Sequence, residues 1–185
     1  MSWEISKQID FCYGHRVWNQ KLNKEYSLNV PSACRRKHGH NCALHITLQS
    51  DSLENGMVTD FHNLSWMKKF IDDVIDHKFI MDVNDPLLIH ELPFLFTNKQ
   101  LDKSKLITNT ELNYSIINLE FHKDLPEYLV ENLESFVLVT FVPTSENLAK
   151  WLYDIVNDKM KQIGVKTKSV EFYETPKSRS LYIGE

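Results

Sequence analysis

Two stretches of alternating polarity constrain this chain more than anything else in it. Trp3, Ile5, Ile9, Phe11 and Tyr13 occupy odd positions with mostly polar residues between them. From His40 to Gln49 the apolar residues Cys42, Leu44, Ile46 and Leu48 fall on even positions, and His45, Thr47 and Gln49 on odd ones. Successive side chains of a β-strand point to opposite faces, so both stretches predict half-buried strands. If the first strand persists, His15 shares the face of Phe11 and Tyr13. The loop from Arg16 to Arg36 joins the two.

The remaining elements follow from local signals. Asp51-Ser52-Leu53-Glu54-Asn55-Gly56 reads as a turn, and Asp60 caps a helix in which Leu64, Met67, Ile71 and Val74 recur at helical spacing up to Ile75 or Asp76. Phe136 to Val142 is a continuous apolar run bounded by Pro143, which predicts a buried strand. A helix follows, with Thr144 as N-cap, Glu146 at the positive end of the dipole, and an apolar stripe of Leu148, Trp151, Leu152, Ile155 and Val156. Lys168 to Glu174 alternates through Val170 and Phe172, and Ser180 to Ile183 extends the sheet after a turn at Pro176. This order predicts an α+β fold, an antiparallel sheet with two helices on one face, in a single domain spanning the 185 residues. Between Asp82 and Ser135 the pattern loosens around Pro86, Pro93 and Pro126, and part of this stretch is expected to form a hairpin or short helix on the rim.

A net charge of −4 provides no general attraction to nucleic acid, so none is expected as a partner. No apolar run is long enough to span a bilayer, and Met1-Ser2-Trp3-Glu4-Ile5-Ser6-Lys7 lacks the basic-then-apolar layout of a signal peptide, so a cytoplasmic protein without a membrane partner is expected. Cys12, Cys34 and Cys42 are an odd set without framework spacing, which suits a reducing compartment. Cys12 and Cys42 fit as small buried apolar residues.

The chemistry concentrates in Cys34-Arg35-Arg36-Lys37-His38-Gly39-His40. On a strand His38 and His40 project to one side, as two ligands of a metal ion do, and His15 is the leading candidate for the third ligand of a catalytic zinc. A bound zinc can lower the pKa of water from about 15.7 to about 7. A thiol beside such a cation shifts toward thiolate from a free value of about 8.5, which makes Cys34 a base or a nucleophile. Asp76-His77 ends the first helix, where an aspartate can set a histidine's tautomer. Arg35, Arg36 and Lys37, with Arg16, form a candidate positive rim for phosphate. His45 lies on the opposite face, and His45, His62, His90 and His122 read as surface or loop histidines.

Cys34-x-x-x-His38-Gly39-His40, with Phe11-Cys12-Tyr13-Gly14-His15-Arg16 upstream, resembles the 6-pyruvoyl-tetrahydropterin synthase and 6-carboxy-tetrahydropterin synthase superfamily. The resemblance continues through Gly56-Met57-Val58-Thr59-Asp60-Phe61, Asp76-His77-Lys78-Phe79, Pro143-Thr144-Ser145-Glu146-Asn147-Leu148-Ala149 and Glu171-Phe172-Tyr173-Glu174-Thr175. It covers the chain except roughly residues 85–135, an insertion relative to compact bacterial members. It implies the tunnelling fold, with subunits assembled into a β-barrel and usually into hexamers of two trimers. It implies zinc held by His15, His38 and His40, a catalytic trio of Cys34, Asp76 and His77, and Glu174 as anchor for the pterin, with Thr144 a further substrate-binding candidate. The short Cys34 to His38 spacing resembles the bacterial 6-carboxy-tetrahydropterin synthase of queuosine and deazapurine biosynthesis. That enzyme is a lyase acting on 7,8-dihydroneopterin triphosphate. A 6-pyruvoyl-tetrahydropterin synthase and a non-catalytic pterin- or zinc-binding oligomer are the alternatives.

Overall fold

A computed structural model describes residues 2–122 and 124–184; the side chain of His122 lies outside what is described, and with it the expectation of a surface histidine there. In chain order the elements are β1 (Trp3–His15), β2 (His38–Ser50), α1 (Ser65–Val74), β3 (Lys78–Asp82), α2 (Leu88–Glu91), β4 (Phe96–Thr97), β5 (Gln100–Leu101), β6 (Leu106–Asn109), β7 (Tyr114–Ile117), α3 (Glu127–Glu134), β8 (Phe136–Val139), α4 (Ser145–Lys161), β9 (Lys166–Thr175) and β10 (Ser178–Ile183). They divide into two compact units: Met1–Cys12, His40–Asp76 and Ser145–Glu185 form one, and Tyr13–Gly39 with His77–Thr144 the other. Among the described residues no helix is long and apolar enough to cross a membrane.

The first unit carries the strand order β10-β9-β2-β1. β2 and β9 pair antiparallel with Leu44 opposite Phe172 and Ile46 opposite Val170, all at most 1% exposed. Both expected alternations hold except at the start of β1, where Trp3 is 45% exposed, and each fully buried side chain contributes about 1.5–3 kcal/mol by leaving water. Asp60 accepts a hydrogen bond from the His62 N–H at 2.7 Å and opens a 3-10 turn that leads into α1. Leu64, Met67, Ile71 and Ile75, spaced three and four apart, bury one face there. α4 buries Leu148, Leu152, Val156 and Met160, with Glu146 in its first turn and Lys159 and Lys161 in its last, as the helix dipole favours. It stops because Gly164 takes a left-handed φ of +73° while its N–H donates to Lys161 O and the Val165 N–H to Met160 O. That pair of bonds is a Schellman cap, and the buried Val165 and Met160 supply its apolar contact.

The second unit carries the order β1-β3-β8-β7-β6. The expectation of a purely antiparallel sheet with two helices is corrected here. β1 pairs parallel with β3, and β3 parallel with β8, while β7 is antiparallel to both β8 and β6, and two further helices, α2 and α3, are present. Parallel neighbours need a crossover of about a dozen residues or more, and the stretch between β3 and β8 supplies one. Every residue of β8 is buried, as is usual for a parallel strand. β8 also ends at Val139, short of the expected Val142.

The unassigned stretch from Asp82 to Ser135 is more than a rim. It folds into two hairpins, β4-β5 and β6-β7, together with α2 and α3. Met81, Leu88, Leu92, Leu95, Ile117, Leu133, Phe136 and Leu138 close into one buried apolar cluster beneath them.

Candidate active site

His15 ends β1 on the buried face it shares with Phe11 and Tyr13 and is itself 1% exposed. His38 and His40 open β2, and one ring nitrogen of each of the three histidines lies within 4.8 Å of the others. Gly39 permits this. A Cβ there would stand 3.1 Å from the Tyr13 carbonyl oxygen, tighter than ordinary contact, so a larger residue would push β2 away from the end of β1.

The hydrogen bonds decide the tautomers. His15 Nδ1 lies 2.6 Å from the Pro143 carbonyl oxygen, and His38 Nδ1 lies 2.9 Å from that of Arg36. A carbonyl only accepts, so each Nδ1 carries the hydrogen and each neutral ring offers a lone pair at Nε2. The two Nε2 atoms face one another at 3.1 Å. Two lone pairs at that separation repel unless a proton or cation is shared between them. An Nδ1–H on a backbone carbonyl with Nε2 left open is also the usual arrangement of a metal-ligating histidine. Nitrogens each about 2.0–2.1 Å from one tetrahedral ion lie roughly 3.4 Å apart, close to the 3.1 Å between His15 and His38. The cluster can therefore hold a metal ion. The two carbonyls that orient it escaped the sequence reading, because a backbone oxygen carries no residue signature.

The other expected site residues fall in distinct settings. Cys34 is a free, half-buried thiol in a 3-10 turn over Ala33–Arg35, and its carbonyl accepts the Val17 N–H at 2.7 Å. Asp76 Oδ1 accepts the Cys12 N–H at 2.8 Å. His77 is exposed and holds a left-handed φ of +59°, where the chain leaves α1 for β3. A non-glycine residue there stores about 1–3 kcal/mol, the kind of strain that collects at functional sites. Glu174 is half-buried near the end of β9, and Thr144 stands half-buried between Pro143, which anchors His15, and the start of α4.

Cys42 separates from Cys34 in character. Burial first, and then the neighbouring Cys12, Glu174 and Asp76, push its thiol well above the ordinary 9.0. Glu174 and Asp76 are thus brought toward one residue, two positions along the strand from His40. Cys42 is the buried apolar residue it was expected to be, whereas Cys12 is half-buried and donates its S–H to Asn41 Oδ1 at 3.1 Å. Among the remaining histidines, His45 is half-buried against Tyr173, with ring centroids 4.7 Å apart, and His62 and His90 are exposed.

The expected positive rim loses a member. Arg16 Nε lies 3.2 Å from Asp85 Oδ2, with side-chain exposures of 14% and 0%, so its charge is spent inside the fold. Lys37 pairs with Glu91 at 2.9 Å. Arg35 and Arg36 remain exposed, with no ion pair among the described residues.

The family model described as 6-pyruvoyl tetrahydropterin synthase matches residues 4–185. Over 192 residues, 98% of each chain, the protein is 33% identical to a 6-carboxy-5,6,7,8-tetrahydropterin synthase of Aquifex aeolicus. A crystal structure of an uncharacterized protein from Wolinella succinogenes is 45% identical and superimposes with a TM-score of 0.93, covering 100% of this chain and 99% of that one. The 6-pyruvoyl tetrahydropterin synthase of Caenorhabditis elegans shares the fold at 19% identity and a TM-score of 0.55, over 100% of this chain and 97% of that one. The chain belongs to the 6-pyruvoyl tetrahydropterin synthase family.

Proposed function

We propose that the chain is a zinc-dependent 6-carboxy-5,6,7,8-tetrahydropterin synthase, a lyase that converts 7,8-dihydroneopterin triphosphate to 6-carboxy-tetrahydropterin with release of acetaldehyde and triphosphate. The observation that carries the reading is the histidine cluster, whose facing Nε2 lone pairs call for a cation. The near full-length likeness to the Aquifex synthase points it toward this pterin chemistry.

His15, His38 and His40 would hold the zinc, and three imidazoles are the donor set of a catalytic site, in which the fourth position of a tetrahedral ion goes to water or substrate. Bound zinc acidifies a hydroxyl that it touches, which makes proton loss feasible near neutral pH. Cys34 accepts and returns protons at the substrate side chain. Asp76, fixed by the Cys12 N–H, orients His77 as the relay partner. Glu174 accepts the paired N–H donors of the pterin's amino-pyrimidinone edge, as a carboxylate does in two parallel bonds. Thr144 adds a hydroxyl to the substrate pocket. Arg35 and Arg36, without Arg16, face the triphosphate.

The same reading makes residues 1–185 one domain of the family with 85–135 as an insertion. It places the protein in the cytoplasm, in queuosine and deazapurine biosynthesis, as a hexamer of two trimers with barrel-forming sheets. Incubation of the zinc-loaded protein with 7,8-dihydroneopterin triphosphate tests it. Acetaldehyde release is expected; a product that keeps every side-chain carbon would assign the pyruvoyl activity, and binding without turnover a pterin-binding module. Cys34→Ala should lose turnover but keep zinc, and His38→Ala should lose zinc. One zinc per subunit in the His38→Ala protein would remove His38 from the ligand set.

A further inference from the structure

The loop between β1 and β2 carries Cys34, and its own turns, such as the Ser27 N–H on Asn23 O at 2.9 Å and the Asn29 N–H on Lys24 O at 3.0 Å, join only residues of the loop itself. Tyr26 and Leu28 are 83% and 84% exposed, and Leu28 and Asn29 both sit at left-handed φ. Gln20 Oε1 and Ser27 Oγ are buried without a hydrogen-bond partner among the described residues. A segment with few apolar contacts and orphaned polar groups opens easily unless something outside it supplies the restraint.

That restraint comes from the end of β3, the turn after it and α2. Trp18 Nε1–H donates to Asp82 Oδ2 at 3.0 Å, and Arg16 Nε forms an ion pair with Asp85 Oδ2 at 3.2 Å, held by charge rather than by an aligned hydrogen bond. At the far end of the loop Lys37 Nζ donates to Glu91 Oε2 at 2.9 Å. Between the two clamped residues lies Val17, whose N–H binds the Cys34 carbonyl at 2.7 Å. The backbone of Cys34 is therefore tied to a residue restrained on both sides.

Asp82 and Asp85 are 2% and 3% exposed, an expensive location for carboxylates that are not otherwise engaged. Each divides its oxygens in the same way. Asp82 Oδ1 takes the N–H and side-chain amide of Asn84, and Asp85 Oδ1 takes the Leu87 N–H, which shapes their own turn. The second oxygen of each is turned to the Cys34 loop. A carboxylate serving only its own turn would have no need of the second set of partners.

We propose that Asp82 and Asp85 are positioning residues that act through Trp18, Arg16 and Val17 to hold Cys34 in its working place and limit its exposure. This rests on the reading of Cys34 as the proton-transfer group, but the first readout below does not. In the as-purified full chain, iodoacetamide adducts are followed peptide by peptide, with buried Cys42 as the unreactive internal reference. Trp18→Phe keeps the ring and removes one hydrogen bond, and should raise the Cys34 alkylation rate about fivefold, the equilibrium effect of one such bond. Asp85→Asn should do the same, with Arg16→Lys intermediate because a cation is kept. Bound zinc should be unchanged, and with pterin substrate kcat should fall while KM moves little.

If Asp85→Asn does not fold, Arg16→Met/Asp85→Leu removes the pair without stranding a charge and takes its place. Variants that melt earlier yet alkylate and turn over as the wild type would make the two aspartates merely structural and overturn the proposal. A wild type without turnover would sink the lyase reading, and the alkylation rates would still decide the positioning role.

Discussion

Around Phe172 the first unit is apolar, with Leu44, Ile46 and Leu48 of the neighbouring strand each 0% exposed; around Asp82 and Asp85 the second unit buries two carboxylates against a tryptophan N–H and an arginine. Both arrangements exclude water, but they constrain differently. Apolar burial is proportional to area and indifferent to direction, so it secures compactness without specifying where one loop must lie. A buried carboxylate satisfied at 3.0 Å by one indole N–H admits a single geometry. The polar contacts fall on the loop that carries Cys34, and the apolar ones where long elements need only to stay packed.

The largest expected effect lies in the apolar unit. Phe172→Ala leaves a cavity on β9 beside the Phe11 ring, whose centroid lies 6.1 Å away, and should cost about 3–5 kcal/mol in urea unfolding. A loss below about 1 kcal/mol would mean that this region can collapse around a missing ring, and the contrast with the buried carboxylates of the second unit would weaken.

Arg16→Met comes next. It leaves Asp85 buried without its cation and should cost about 3 kcal/mol, whereas Arg16→Met/Asp85→Leu should recover most of that, because two apolar groups need no partner. A double variant as unstable as the single one would show that the site needs an ion pair for more than charge balance. The measurement is a double-mutant cycle in urea.

The histidine cluster differs from both regions, since the Nε2 atoms of His15 and His38 face each other at 3.1 Å. Zinc at about a hundredfold excess over its dissociation constant should therefore stabilise the chain by about 2.7 kcal/mol, and a chelator should reverse the shift. His40→Ala should abolish the response. A zinc-dependent rise in melting temperature that survives in His40→Ala would place the ion elsewhere.

These contrasts also explain what could be read in advance. β1 and β2 are thirteen residues each, long enough for a period of two to repeat, so their buried faces and the placement of His15, His38 and His40 were legible. The strands between Asp82 and Ser135 are two to four residues long, too short for any period to show. Their core joins Met81 to Leu138 across more than fifty positions, a closure no local window contains. The buried run Phe136–Val139 announced a strand but not its direction, because a parallel partner is set by the crossover and not by the run itself. From the sequence Arg16 reads as part of a phosphate rim, because its buried partner, Asp85, lies far along the chain.

The smallest effect probes a thiol buried in the first unit. Burial raises the Cys42 thiol above 9.0, so the folded protein keeps this proton at pH values where the unfolded chain gives it up. The stability it contributes is complete below pH 9.0 and declines as the pH rises beyond it toward the raised folded value. One such group changes stability by at most about 1.4 kcal/mol per pH unit. Urea midpoints between pH 8 and 10.5 should therefore fall more steeply in the wild type than in Cys42→Ala, whatever the absolute cost of the substitution at neutral pH. Parallel slopes would mean that water reaches Cys42, and that the apolar unit is less sealed than the 4% exposure of this residue implies.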